Sequence, residues 1–145
     1  VLRVTADTNI FISGLNFEGG KPFQFLALAK TGRINLTTSE AILDEVASVL
    51  ARKFDYSAGD LEEARRFVVG LSRIVRPSVR LDVVKEDPDD NRVLECAVTA
   101  GADFIVSGDN DLLRLGWYDS IRIVNVSDFL KLIDALPSTT AVNVI

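Results

Sequence analysis

The sequence predicts an α/β fold, a mostly parallel sheet with helices on both faces, and three observations carry that prediction. Short apolar runs of strand character alternate with segments of helical periodicity along the whole chain. Capping residues, glycines and prolines punctuate the boundaries between them. At 145 residues, 48% of them hydrophobic, the chain can form one domain with a substantial core and is too apolar for disorder.

The elements follow in order. Residues 2–6, Leu-Arg-Val-Thr-Ala, read as a strand. Asp7 then caps a helix over residues 8–17, and a glycine-containing loop leads to Pro22, which opens a helix running to Lys30. Residues 34–37 form a second strand, and Ser39 caps a helix over 40–53. After a break at 56–59, Asp60 starts a helix to about Arg73, and residues 74–84 run extended around Pro77. Asp87 and Pro88 form a helix start, with Asp87 as cap and Pro88 as first helical residue, and the helix ends near Gly101. A strand over 103–106, a short helix after Asp109 and a strand over 121–126 follow. Ser127 caps a closing helix over 128–136, and residues 137–145 form a tail that pairs as an edge strand or stays disordered.

Composition removes several kinds of chemistry. With no histidine and one cysteine, Cys96, there is no imidazole base, no Ser-His or Cys-His pair and no zinc site of the usual kind. The lone Cys96 sits in an apolar helical pattern, reads as core, and suits a reducing compartment, so a cytoplasmic protein is expected. No apolar run approaches the about 18 residues of a membrane span, and acids appear by Asp7, unlike a secretory leader. The net charge of −5 is opposite in sign to that of a plain nucleic-acid binder. If about five acids surround a cation, the rest of the chain is balanced, so the sign alone excludes nothing.

The acids are the informative residues. Asp7 follows the first strand, and Asp109 and Asp111 follow the strand at 103–106, after Ser107 and Gly108. Groups that bind ligands collect at such carboxyl ends of parallel strands. Each also has a plain structural role available, as helix cap or solvated turn residue. Gly108 is expected to let the chain turn tightly beside the acids. On the 40–53 helix, Glu45 lies at the edge of the stripe formed by Ile42, Leu43, Val46, Val49 and Leu50, whereas Asp44 points the other way. On the following acidic helix start, Asp90 shares the face of Val93, Leu94 and Ala97, while Glu95 points away. Inward carboxylates need a compensating partner, and four or five gathered together repel one another. An all-oxygen donor set of this kind calls for magnesium or manganese ahead of calcium.

In this order and spacing the residues resemble the PIN-domain family of metal-dependent ribonucleases, over residues 2 to about 130. The matching pieces are Asp7-Thr8-Asn9, Glu45 in its helix, Asp89-Asp90-Asn91, and the run from Ser107 through Gly108-Asp109-Asn110-Asp111 to Leu113. More narrowly, they resemble bacterial and archaeal PIN proteins assigned as toxins of toxin–antitoxin pairs. The resemblance implies a Rossmann-like three-layer α/β/α sandwich, with residues 1–136 as nuclease domain and 137–145 as tail. It implies a Mg2+ or Mn2+ site from Asp7, Glu45, Asp90 and Asp109, with Asp111 touching the cation directly or through water. Asn9 and Ser107 match the family's supporting polar positions. It further implies hydrolysis of an RNA substrate without a covalent enzyme intermediate, a homodimer, and an antitoxin partner, with no membrane role.

Two rival readings remain. One is a PIN fold kept as a catalytically silent binding module. The other is a phosphohydrolase resembling the haloacid-dehalogenase family, whose D-x-D-x-T pattern this chain departs from by carrying Asn9 at the third position. Nine basic residues from Arg52 to Arg92 could rim an RNA groove, although interleaved acids also fit ordinary solvated helix faces. Phe17, Phe54, Tyr56, Trp117 and Tyr118 could stack on bases or simply pack.

Overall fold

A computed structural model of the chain describes residues 1–136, so the 137–145 tail lies outside the described residues. The first three elements are a strand, β1 (Leu2–Ala6), and two helices, α1 (Thr8–Asn16) and α2 (Lys21–Lys30). Next come β2 (Ile34–Thr38), α3 (Glu40–Phe54), α4 (Ala58–Leu71) and β3 (Ser72–Ile74). The second half contains α5 (Asp90–Ala100), β4 (Phe104–Val106), α6 (Asn110–Leu115), β5 (Trp117–Tyr118), β6 (Ile121–Val124) and α7 (Val126–Ala135).

The six strands form one sheet in the order β3-β2-β1-β4-β6-β5, parallel except for the short hairpin of β5 with β6. The expected mostly parallel α/β architecture is therefore what the chain adopts. Successive crossovers from β1 to β2 and from β2 to β3 run toward one edge, and the crossover from β3 to β4 runs back across the sheet. Because parallel crossovers are right-handed, that reversal puts α5 on the face opposite α1 to α4. α5 then packs across β1, β2 and β4. It also makes the carboxyl ends of β1 and β4 neighbours where the connection changes direction, the usual place for a site in such sheets.

The core is filled from both faces. Val4, Ala6, Leu36 and Ile105 are buried in the sheet, beneath Phe11, Phe25 and Leu50 from the helices and Leu94 from α5. Phe129 of α7 meets Phe25 and Phe104 edge to face, each at 5.5 Å between ring centres. α1 and α2 approach so closely that a methyl group at Gly14 would press on Leu26 and on the Pro22 carbonyl. Among the described residues no helix is long and apolar enough to cross a membrane.

Several boundaries differ from the sequence expectation, each for a local reason. α4 starts at Ala58, not at Asp60, because Ser57 and Asp60 form a reciprocal capping box. α7 starts at Val126, because Asn125 and not Ser127 accepts the capping hydrogen bond, from Asp128 N at 2.8 Å. Ser127 instead accepts from Lys21 Nζ at 2.7 Å. Asp87 and Pro88 lie in a tight turn before α5 and not in its first helical positions, so Asp90 is the first residue of the helix proper and not the third. β3 and β5 were not legible as strands at three and two residues respectively.

The long connection between β3 and α5 is fastened by side chains of α5. Asn91 is buried, and its Oδ1 accepts from Val83 N and Val84 N at 2.8 and 2.9 Å. Its Nδ2 donates to the carbonyls of Val84 and Pro88 at 2.8 and 3.2 Å. Glu95, expected to point away, does leave the sheet-facing stripe but is covered by this connection. Its Oε2 accepts from Leu81 N at 2.8 Å, and Arg92 bridges it to the Leu81 carbonyl. Removing the Asn91 amide would leave buried backbone groups unpaired, so Asn91→Ala is expected to lower stability by roughly 2–4 kcal/mol. Urea unfolding would check this, and a loss below about 0.5 kcal/mol would contradict the clamp.

Candidate metal centre

Asp7 leaves β1 at its carboxyl end and serves two purposes. Its backbone N donates to the Val106 carbonyl at 2.9 Å, which ties the ends of β1 and β4 together. Its Oδ1 accepts from Thr8 N at 2.7 Å, capping α1 as expected. Its Oδ2 accepts from Ser107 Oγ at 2.6 Å, and Asn9 Nδ2 lies at 3.4 Å from the same oxygen. Burial pushes the carboxyl up to about 6, helped by Asp109 and Asp87 and opposed by the Ser107 and Thr8 hydrogen bonds.

The 107–109 turn is stitched to the same point. Ser107 Oγ accepts from Asp109 N at 2.9 Å while donating to Asp7, and Asn9 Oδ1 accepts from Gly108 N at 3.1 Å. Asp109 Oδ1 caps α6 by accepting from Asp111 N at 2.7 Å. The turn at Gly108 does not demand a glycine, because its φ is not positive and a Cβ there would meet Asn9 only at ordinary contact distance.

Asp90 enters from the opposite face of the sheet, on the first turn of α5. One oxygen each from Asp87, Asp90 and Asp109 lie within 4.8 Å of one another. Asp90 is 4% exposed, and its Oδ2 is buried without a hydrogen-bond partner. Burial, then the charges of Asp7, Asp109 and Asp87, drive its carboxyl up to about 8, and a hydrogen bond that the protonated form shares with Asp109 adds to the shift. Burial also raises Asp87, with Asp109, Asp89 and Asp111 adding to the shift and the Asp89 backbone hydrogen bond opposing it. An orphaned buried oxygen beside two further carboxylates is a donor set that a hard divalent cation fits, since such ions take oxygen ligands and offset the repulsion.

The other expected residues are distributed around this trio. Glu45 is half-buried on α3, as the helical projection required, while Asp44 is exposed. Burial raises its carboxyl, Asp89 and then Asp87 reinforce that, and Arg52 and Lys53 oppose it. Glu45 is therefore on the Asp87–Asp89 side of the cluster, outside the group of three. Asp7 is also outside that group but is directly coupled to Asp90, Asp87 and Asp109. Asp111, half-buried, is engaged by Arg114. The residue that sequence reasoning missed is Asp87, taken there only as a helix cap. The signal was the density of acids in Glu86-Asp87-Pro88-Asp89-Asp90, where Asp87 and Asp90 are three apart across one turn. Of the nine bases, Arg65, Arg66, Lys85 and Arg92 are held in ion pairs. Among the candidate stacking residues, Phe17 and Trp117 are the most exposed, and the Tyr56 hydroxyl is committed to Asn16 Oδ1 at 3.0 Å.

Comparison with known proteins bears on this arrangement. A family model described as PIN domain matches residues 3–111, which spans Asp7, Glu45, Asp87, Asp90 and Asp109. An uncharacterized protein of Methanocaldococcus jannaschii is 31% identical over 118 residues, covering 79% of this chain and 75% of that protein. Among solved structures, a chain in the crystal structure of VapBC2 from Rickettsia felis, bound to a DNA fragment from their promoter, superposes with a TM-score of 0.62. That likeness covers 86% of this chain and 98% of the other at 14% identity, so it is one of fold.

The electrostatics give a signed expectation for the metal-free protein. An acid with a raised folded-state pKa binds more protons in the native than in the unfolded state, so stability falls as pH climbs between the two values. That window runs from 3.8 to about 8 for Asp90 and from 3.8 to about 6 for Asp7. In chelator, Asp90→Asn is expected to melt higher than the parent protein at pH 8, and the difference should shrink toward pH 4. A variant that melts lower at pH 8 would show that the buried carboxylate is compensated by something other than a cation.

Proposed function

The chain belongs to the PIN-domain family, and on that premise we propose that it is a divalent-metal-dependent ribonuclease that hydrolyses RNA phosphodiester bonds. The observation that carries the proposal is Asp90, a buried carboxylate with an unpartnered oxygen beside Asp87 and Asp109. The proposed holders of Mg2+ or Mn2+ are Asp7, Glu45, Asp90 and Asp109, with Asp111 reaching the ion directly or through water. When bound, the cation supplies an activated water and neutralises charge on the phosphodiester oxygens.

The chain's own groups do the rest. Ser107 and Thr8 fix the Asp7 carboxylate by holding one oxygen each. A carboxylate held in this way is already oriented for the cation it is proposed to bind with Asp90 and Asp109. The protein provides no nucleophile of its own in this reading. There is no histidine, and burial pushes the Cys96 thiol up to about 11. In this reading water attacks the scissile phosphorus directly, and a 5′-phosphate and a 3′-hydroxyl remain when the 3′ oxygen is the leaving group. Arg52 and Lys53, in the last turn of α3 and close enough to act on Glu45, are the proposed contacts to RNA phosphates.

We extend the proposal to the chain's role: the toxin of a toxin–antitoxin pair, active in the cytoplasm, a homodimer, and held in check by an antitoxin protein. The fold likeness to a chain of the VapBC2 assembly supports the antitoxin partner in this reading.

The purified protein with Mn2+ is expected to cut RNA, to stop on chelation, and to lose activity in Asp7→Asn and Asp109→Asn without losing its circular dichroism. Ser107→Ala, which only orients Asp7 and Asp109, should cost roughly 10–100-fold. If a varied set of RNAs stays uncut and calorimetry detects no uptake of Mn2+, the nuclease reading is wrong.

A further inference from the structure

Asp87 carries a role beyond the turn it occupies. We propose that Asp87 is a direct ligand of the divalent cation, which it holds together with Asp90 and Asp109. The proposal rests on the reading of this centre as a metal site, and adds to it a residue that the four-acid set leaves out.

Four observations support it. First, one oxygen from each of the three side chains falls within 4.8 Å of the other two. Oxygens around an octahedral Mg2+ are about 3.0 Å apart when adjacent and about 4.2 Å apart when opposite, given ligand distances of about 2.1 Å, so binding would draw the three side chains inward. Second, the unpartnered Oδ2 belongs to Asp90, which is 4% exposed and faces Asp87 and Asp109.

Third, the structural role of Asp87 does not require a charge. Its Oδ1 accepts one hydrogen bond, from Asp89 N at 3.2 Å, and that bond lies outside the helix proper. An asparagine or serine could make the same bond without adding a third carboxylate beside buried Asp90 and half-buried Asp109. Fourth, Asp87 and Asp90 are fixed relative to one another. Asp90 N donates to the Asp87 carbonyl at 3.0 Å, and Asn91 holds the intervening Pro88 carbonyl. Two ligands on one stiffened turn face a third at the end of β4, a rigid arrangement of the kind metal sites need. Asp7 and Glu45, the remaining members of the four-acid set, lie outside this group of three.

The test is Mn2+ calorimetry on the metal-stripped full chain, without RNA, alongside melting in chelator. Asp87→Asn keeps the Asp89 hydrogen bond and removes only the charge. It is expected to weaken Mn2+ binding at least about tenfold while the metal-free melting temperature holds or rises. Asp87→Ser, which also retains an acceptor at the turn, should show the same loss, and it replaces the first variant should that one fail to fold. Mn2+ binding within twofold of the parent in a folded Asp87 variant overturns the proposal and leaves the metal centre standing. A fall in metal-free melting temperature with unchanged Mn2+ affinity would assign Asp87 to the turn alone. If the parent protein binds no Mn2+, this inference and the metal reading fall together.

Discussion

The constraint on which the site depends is the crowding of negative charge in a poorly hydrated place. Asp7 and Asp90 are both almost fully buried, and Asp109 and Asp87 stand beside them. A protein relieves such a conflict by protonating carboxyls, by pairing them with bases, or by admitting a cation. No arginine or lysine is paired with Asp7, Asp87, Asp90 or Asp109 among the described residues. Without a cation, the raised carboxyls are what remains.

The sheet bears that conflict because its strand ends are stitched together by neutral polar side chains. Ser107 uses one hydroxyl to donate to Asp7 and accept from Asp109 N. Asn9 spans from Asp7 to the Gly108 amide. These bonds are local to the carboxyl ends of β1 and β4, which the reversal of crossover direction makes neighbours. The positions of two acids are thereby decided by sheet topology and by a serine and an asparagine close to them in sequence.

The other half of the site is delivered differently. Residues 75–89 contain no helix or strand, yet they bring Asp87 over the sheet. Their order comes from α5 itself, where Asn91 and Glu95 take the backbone amides of Val83, Val84 and Leu81. One helix thus supplies Asp90 and also the polar side chains that shape the turn carrying Asp87. The connection is held from beneath by the element that follows it.

Much of this was legible in the residues alone. The alternation of apolar runs and capped helices gave the α/β class, because burial periodicity and capping are local properties of the chain. The inward phase of Glu45 and Asp90 followed from helical geometry, and Asp7 and Asp109 from their places at strand ends. What local pattern could not supply was distance. The same projection that turned Asp90 inward could not say whether Glu45 or Asp87 would come nearer to it, since that depends on how the unpatterned 75–89 segment folds back. Nor could it show that Glu95 would be buried, because the chain that covers it has no periodicity to read. The sequence by itself determined the inward placement of Asp7, Asp90 and Asp109 and the half-buried phase of Glu45. The tertiary structure decided which of them stand within reach of one ion, because separation across a sheet is set by topology and by long-range hydrogen bonds and not by spacing along the chain.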